Sequence, residues 1–308
     1  MISGTAKGCA FLLQHISASV TSLQVDCKIV KLAAAKILAP VIAAKLHGSW
    51  STDPVVPLQS MHFTHTLISA WDEILPLETL EMIRYASSTE KPKTPRFKLI
   101  TSGMGPESVV EMLAALALEN VRVCSITDYP GDSYSCVWRK LFESIPQATE
   151  LSIYDSSNSN IIDMLQQRPP VTTHQSRGRK RRQRNPKIRL LLPNLKTLSL
   201  DSVWFREYTE EPEEESVLAA YKTMLKTRQM ARHQVEKLVI HNATNFDDED
   251  CTALKHMVKE VEWDEIEDWS DGDREYDDDD EDDSEVDYSS EGHYGFPLYY
   301  DDDFDHPW

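Results

Sequence analysis

Few residues in this chain are typed and spaced for bond-making chemistry. His62 and His65 form an HxxH pair, but on the strand expected there, residues three apart project to opposite faces. No metal is expected on them. Gly103-Met104-Gly105-Pro106 has two of the glycines of a phosphate loop but neither the third nor the P-loop lysine. No nucleophile elbow is present, and no cysteine–histidine pair with supporting spacing. The five cysteines, Cys9, Cys27, Cys124, Cys136 and Cys251, are odd in number and not at metal-ligand spacing. That usage fits a reducing compartment. Carboxylates are densest in the C-terminal tail, where nothing would desolvate them and shift their acidity. The sequence therefore points to a protein that is not an enzyme and carries no cofactor.

The remaining chemistry is charge pairing. Arg177, Arg179, Lys180, Arg181, Arg182 and Arg184 crowd into eight positions. The surrounding stretch, 168–187, is almost free of apolar residues and is expected to be a disordered basic loop. Dense positive charge on an extended segment is what an import receptor reads, so nuclear import is one reading; a solvated insertion is the other. Aromatic residues do not interleave with these cations, so nucleic-acid stacking is not expected. Of 51 acidic and 32 basic residues, 27 and 3 lie from Asp247 onward. The body is thus near neutral and the tail strongly acidic. We expect an acidic loop over 206–216 and a disordered acidic tail over 270–308. Trp263, Ile266 and Trp269 lie among the acids before that tail, and Phe296, Leu298, Tyr299, Tyr300, Phe304 and Trp308 within it, a pattern suited to basic or amphipathic partners such as histones.

What positions these groups is a repeated apolar signature, with residues at a first position and then three, six and eight further on. The clearest copy is Leu192/Leu195/Leu198/Leu200, and four others are Val55/Leu58/Met61/Phe63, Ile74/Leu77/Leu80/Met82, Leu118/Val121/Cys124/Ile126 and Ile145/Ala148/Leu151/Ile153. Proline follows within two residues of the first position in four of them: Pro57, Pro76, Pro146 and Pro193. Proline there ends a helix and begins an extended segment. Weaker copies place markers at Leu23, Phe97, Leu238 and Val261. Phe97, Cys124 and Leu151 are spaced 27 residues apart, within the roughly 20–29 residue period of leucine-rich repeats. The expected fold is α/β: an irregular leucine-rich-repeat-like solenoid of parallel strands backed by helices, spanning 1–269.

Helices are expected over Thr5 to Ile16, Pro106 to Leu116, Tyr134 to Ile145 and Val217 to Arg232. The apolar stretch Ile29 to Leu46 contains Lys31, Lys36, Lys45 and Pro40. It reads as a helix packed on the convex side and not as a membrane span, so no membrane association is expected. Strand residues between the core positions would line a concave, partner-binding face: Gln24, His62, Glu81, Ser125, Ser152, Tyr154, Ser199, Asp201 and His241. The alternative reading of the same elements is an ordinary α/β domain with a solvated sheet face.

Leu192 to Leu200 and Val235 to His241, together with Asp247 to Asp250 and Val261 to Asp264, resemble the C-terminal part of the F-box/leucine-rich-repeat-like proteins of mushroom-forming fungi. The similarity spans about Phe11 to Trp269. It implies a repeat region that receives the substrate of a cullin–RING ubiquitin ligase. Nothing before Phe11 resembles an F-box, so the ligase machinery is an expected partner where such a box lies outside this chain. The chain is also similar to acidic leucine-rich nuclear proteins, which bind histones and other basic partners. Nuclear and cytoplasmic locations both fit.

Overall fold

A computed structural model describes residues 1–16, 22–28, 31–46, 56–64, 66–83, 93–101, 104–127, 134–155, 159–166, 190–206 and 216–266, all within one unit, Met1–Ser270. The basic loop, the acidic loop at 207–215 and the tail lie outside the described residues.

The described chain is α/β. Short apolar-alternating segments form strands β1 (Ile2–Thr5), β2 (Leu23–Lys28), β3 (Ser60–Phe63), β4 (Leu67–Trp71), β5 (Phe97–Thr101), β6 (Val123–Thr127), β7 (Glu150–Tyr154), β8 (Thr197–Asp201), β9 (Lys237–His241) and β10 (Glu260–Trp263). They make one ten-stranded sheet in the order β1-β2-β5-β4-β3-β6-β7-β8-β9-β10. All pairings are parallel except those of β4 with β3 and β5.

The third apolar position of the signature becomes one continuous row. Leu23, Phe97, Met61, Cys124, Leu151, Leu198, Leu238 and Val261 stand in register across the sheet, with Ala70 of β4 filling the gap between Phe97 and Met61. The fourth position makes a second row from Val25 through Ile126 and Leu200 to Trp263. Alternation sends both rows to one side. There they meet α1 (Ala6–His15), α2 (Leu32–Leu46), α4 (Pro106–Ala115), α5 (Ser135–Ser144), α6 (Ser159–Gln166), α7 (Val217–Met230) and α8 (Asp248–Lys255) in one core.

The helices begin where local chemistry allows. Thr5 Oγ1 accepts from Gly8 N, Ser216 Oγ from Ala219 N, and Asp247 Oδ1 from Asp250 N. Pro106 occupies the first turn of α4, where its missing N–H costs nothing. α2 runs through Pro40 and buries Ala35, Leu38, Ala39, Val41, Ile42 and Leu46, as the sequence led us to expect. No helix among the described residues is long and apolar enough to cross a membrane.

Two expectations are corrected. The Leu80 copy is not a strand: it forms α3 (Leu77–Met82), opened by Pro76 and Glu78. Glu81 is therefore a helix residue and not a strand residue. Phe97 and Cys124 are not on neighbouring strands either, despite their 27-residue separation. β5 pairs with β2, and β4 and β3 stand between it and β6. The cause is the unforeseen strand β4, joined to β3 by a tight turn in which Thr64 N donates to Leu67 O and Leu67 N to Thr64 O. A connection that short forces the antiparallel pairing.

β7, β8 and β9 each end the same way. Asp155, Ser202 and Asn242 follow β7, β8 and β9 with φ of 57°, 57° and 49°. Asp155 N then donates to Asp201 O, and Ser202 N to His241 O, both at 3.0 Å. Short polar side chains tolerate this left-handed turn better than others.

Candidate recognition face

The face opposite the helical layer carries the residues expected to bind a partner. Gln24, Lys98, Ser69, His62, Ser125, Ser152, Ser199, Val239 and Glu262 form its middle row. The centre of that row is covered. His62, Ser125, Ser152 and Ser199 are all essentially buried, and Asp201 nearly so. The cover is the stretch from Asp72 through α3, which packs on β6 and β7.

This cover is fixed mainly at its start. Ser60 Oγ donates to Glu73 O and accepts from Leu75 N, each at 2.8 Å, and Gln59 Nε2 donates to Asp72 O at 2.9 Å. Leu75, Leu77 and Leu80 then pack on Trp71 and Val123 as a small apolar cluster separate from the main core. At the far end Ser199 Oγ donates to Glu81 Oε1 at 2.7 Å. Beneath it His62 Nδ1 lies 3.4 Å from Ser125 Oγ. His65, its sequence neighbour in the HxxH pair, lies outside the described residues. Among the described residues no group of three or more His, Cys, Asp or Glu is placed to hold a metal.

Towards β10 the face is open. Tyr154 and His241 are half-buried, as is Gln24 at the other end of the sheet. Around them stand residues that our sequence reading did not single out: Glu150, Thr197 and Lys237 one row back, then Glu260, Glu262 and Asp264 on and just past the terminal strand. Alternation by two from Ser152, Ser199 and His241 would have found the first three, and carrying the same face onto the terminal strand the others. Lys237 Nζ reaches Glu262 Oε1 at 2.6 Å and Glu260 Oε1 at 3.4 Å. The hydrogen bond to Glu262 raises the Lys237 ammonium above its ordinary value and lowers Glu262 below its own. Burial raises the Glu150 carboxyl, and Glu78 of α3 adds to the shift. Asp264 Oδ2 accepts from Asn242 N at 2.8 Å and lies 3.7 Å from His241 Nδ1. Asn242 Nδ2 in turn donates to Asp201 Oδ1 at 3.0 Å. The open half is thus a polar, carboxylate-rich sheet surface on rigid strands.

The helical side has clefts of a different kind. One of about 460 Å³ is bounded by Arg206, Lys222 and Asp250. There the buried Asp250 carboxylate takes up both cations, with Arg206 Nη2 at 2.6 Å and Lys222 Nζ at 3.5 Å. Another, of about 300 Å³, lies between Phe142, Pro146 and Leu190–Pro193. The import-like residues Arg177, Arg179, Lys180, Arg181, Arg182 and Arg184 lie outside the described residues. No protein-family model matches the chain, and no curated protein matches it.

Proposed function

We propose that the body is an irregular leucine-rich-repeat-like solenoid that serves as a protein-recognition scaffold, and that the open half of its polar face takes a basic polypeptide segment. The observation that supports this is the charge of that half. Glu78, Glu150, Glu260, Glu262 and Asp264 stand on or beside it, with Lys237 and His241 as their counterparts. A field of one sign on a rigid surface selects a partner of the other sign and speeds its encounter. Tyr154, Thr197 and Val239 give the same surface apolar area and hydroxyl groups for closer fit.

This reading favours the histone-like or otherwise basic partners implied by the likeness to acidic leucine-rich nuclear proteins. A disordered acidic tail would add to the same preference, and the basic loop would bring such a protein into the nucleus. The likeness to F-box/leucine-rich-repeat-like proteins gives the same face a different use, as the substrate receptor of a cullin–RING ligase whose F-box comes from outside these residues.

The test is titration of the full chain with a labelled arginine-rich peptide at physiological salt. Glu260→Lys with Glu262→Lys is expected to weaken binding by about tenfold or more, since close charges are reversed on a rigid face. Equal affinity of variant and parent would remove the face from the site. Recovery of the ligase machinery from cells by affinity capture, with no basic protein enriched, would favour the adaptor reading instead.

A further inference from the structure

The first two helices open on a lysine where α3, α4 and α8 open on acid and α5, α6 and α7 open on neither, and they do so where they are exposed. Acidic residues belong in a helix's first turn because they meet the positive end of the helix dipole. α3 has Glu78 there, α4 has Glu107, and α8 has Asp248, Glu249 and Asp250. α1 instead has Lys7 in its first turn and no acid. α2 has no acid in its first turn either, and Lys31 stands at its start, its carbonyl accepting from Ala34 N at 2.9 Å. Serine, threonine, aspartate and asparagine are the favoured residues at such a position. Neither helix contains a carboxylate anywhere.

Large apolar side chains share this surface. Phe11 and Leu12 on α1 are 59% and 48% exposed, and Leu32 and Ile37 on α2 are 36% and 41% exposed. Lys7, Lys31 and Lys36 are exposed beside them. α1 and α2 follow the parallel strands β1 and β2 and pack on one another, so their cationic starts fall at the same end of the helical layer. Each helix satisfies the core with its other side: Cys9, Ala10 and Leu13 on α1, and Ala35, Leu38 and Ile42 on α2. The outward residues do nothing for that core. Local preferences that natural proteins violate without a packing gain are violated for function.

We propose that the outward faces of α1 and α2 form a second docking surface, distinct from the sheet face, whose partner is an acidic amphipathic polypeptide segment. Its leucine or aromatic side chains would cover Phe11, Leu12, Leu32 and Ile37, and its carboxylates would meet Lys7, Lys31 and Lys36. Charge decides among the possible occupants. A second copy presenting the same patch would set lysine against lysine. An anionic membrane would match the lysines, but α2 turns most of its apolar residues inward, leaving few side chains on either helix to enter lipid. A polypeptide segment needs no more than a shallow apolar ledge with a cationic rim.

The test uses the full chain and a labelled peptide built from glutamate, leucine and phenylalanine, with a lysine-for-glutamate peptide as control. Saturable binding of the acidic peptide is expected, and any binding of the lysine peptide, which belongs to the carboxylate-rich sheet face, should not respond to changes on α1 and α2. Lys7→Glu, Lys31→Glu and Lys36→Glu together should weaken it by at least about tenfold, and so, separately, should Phe11→Ser with Ile37→Ser. The charge reversal should leave the melting temperature unchanged or raise it, because carboxylates at positions 7 and 31 suit the helix starts and position 36 is exposed. Four results would each overturn the proposal: binding that survives the lysine reversal, binding indifferent to the apolar substitutions, a melting temperature that falls on charge reversal, or association with phosphatidylserine vesicles in place of the peptide. Self-association abolished by the same variants would overturn it too.

Discussion

Ser199 Oγ donates to Glu81 Oε1 across 118 residues of sequence, closing the short helix α3 onto strand β8 over the middle of the polar face. Glu81 is half-buried and accepts from a neutral hydroxyl, so the contact is worth about 1 kcal/mol. The apolar cluster under α3 contributes more. Leu80 is fully buried among Trp71, Leu75, Leu77 and Val123.

Leu80→Ala should therefore cost about 2–3 kcal/mol in urea unfolding, whereas Glu81→Gln, which still accepts a hydrogen bond, should be near neutral. In hydrogen exchange the amides of α3 should open well before those of β6 to β9, because the cluster holding α3 is separate from the main core. Exchange of α3 as slow as that of the central strands would mean that the cover is part of the global folding unit.

Acid should loosen α8 through its cap. Asp247 Oδ1 accepts from Asp250 N at 2.9 Å, and that bond, with Arg206 beside it, holds the Asp247 carboxyl below its ordinary value of 3.8. A carboxyl lowered in the folded state stabilises fully above its unfolded value, and the contribution fades as pH falls through the folded value. Asp247→Ala should cost about 1 kcal/mol at neutral pH. Asp247→Asn keeps the acceptor and should cost less. It should also flatten the part of the stability–pH curve below about 4 that Asp247 produces. A variant curve parallel to the parent through that window would assign the acid sensitivity elsewhere.

Thiol chemistry separates the cysteines by burial. Burial pushes the Cys124 thiol, in the central core row, up to about 12. Cys27 is likewise raised to about 12 by burial, with Cys9 and Asp26 adding to it. Thiolate is the reactive form, so neither should react with maleimide in the native protein at neutral pH. Cys136 lies exposed on α5 and should be the first to label. Mass spectrometry after a short pulse should show Cys136 modified, and Cys124 and Cys27 modified only after denaturation. Early labelling of Cys124 would mean that β6 opens without global unfolding.

Much of this architecture could be read from residues, and the exceptions share a cause. The spacing of Leu192, Leu195, Leu198 and Leu200 gave β8, because alternate apolar residues after a helix-like pair can satisfy one buried face in few other ways. The same arithmetic failed at Leu80. Ile74, Leu77, Leu80 and Met82 fit the spacing, but Leu77 and Leu80 are also three apart and serve a single helical turn equally well. β4 was not anticipated because Leu67, Ile68, Ser69, Ala70 and Trp71 carry both apolar and small residues on both faces, the outer face here being covered by α3. The polar positions of the face followed from alternation. Their burial did not, since it depends on α3 returning from 118 residues away in sequence to touch Ser199.

Arg228 offers the sharpest mutational test of the helical side. It is fully buried, and its guanidinium is answered by carbonyls and not by a carboxylate. Nη1 donates to Leu165 O at 3.3 Å and Leu191 O at 3.1 Å, and Nη2 donates to Leu192 O. Leu165 lies near the end of α6, where carbonyls lack helical partners. Leu192 adopts a left-handed φ of 48°, a strained turn for a leucine. One side chain on α7 therefore ties the last turn of α6 to the segment entering β8. Arg228→Met fills similar volume but takes the guanidinium from three carbonyls, of which Leu192 O still accepts from Leu195 N at 3.2 Å, and should cost about 2–4 kcal/mol in urea unfolding. Arg228→Lys keeps the charge but loses the planar fork that reaches several acceptors at once, so it should recover less than half of that loss. If Arg228→Met unfolds at the parent's midpoint, the carbonyls have other donors and the guanidinium is not what fixes the approach to β8.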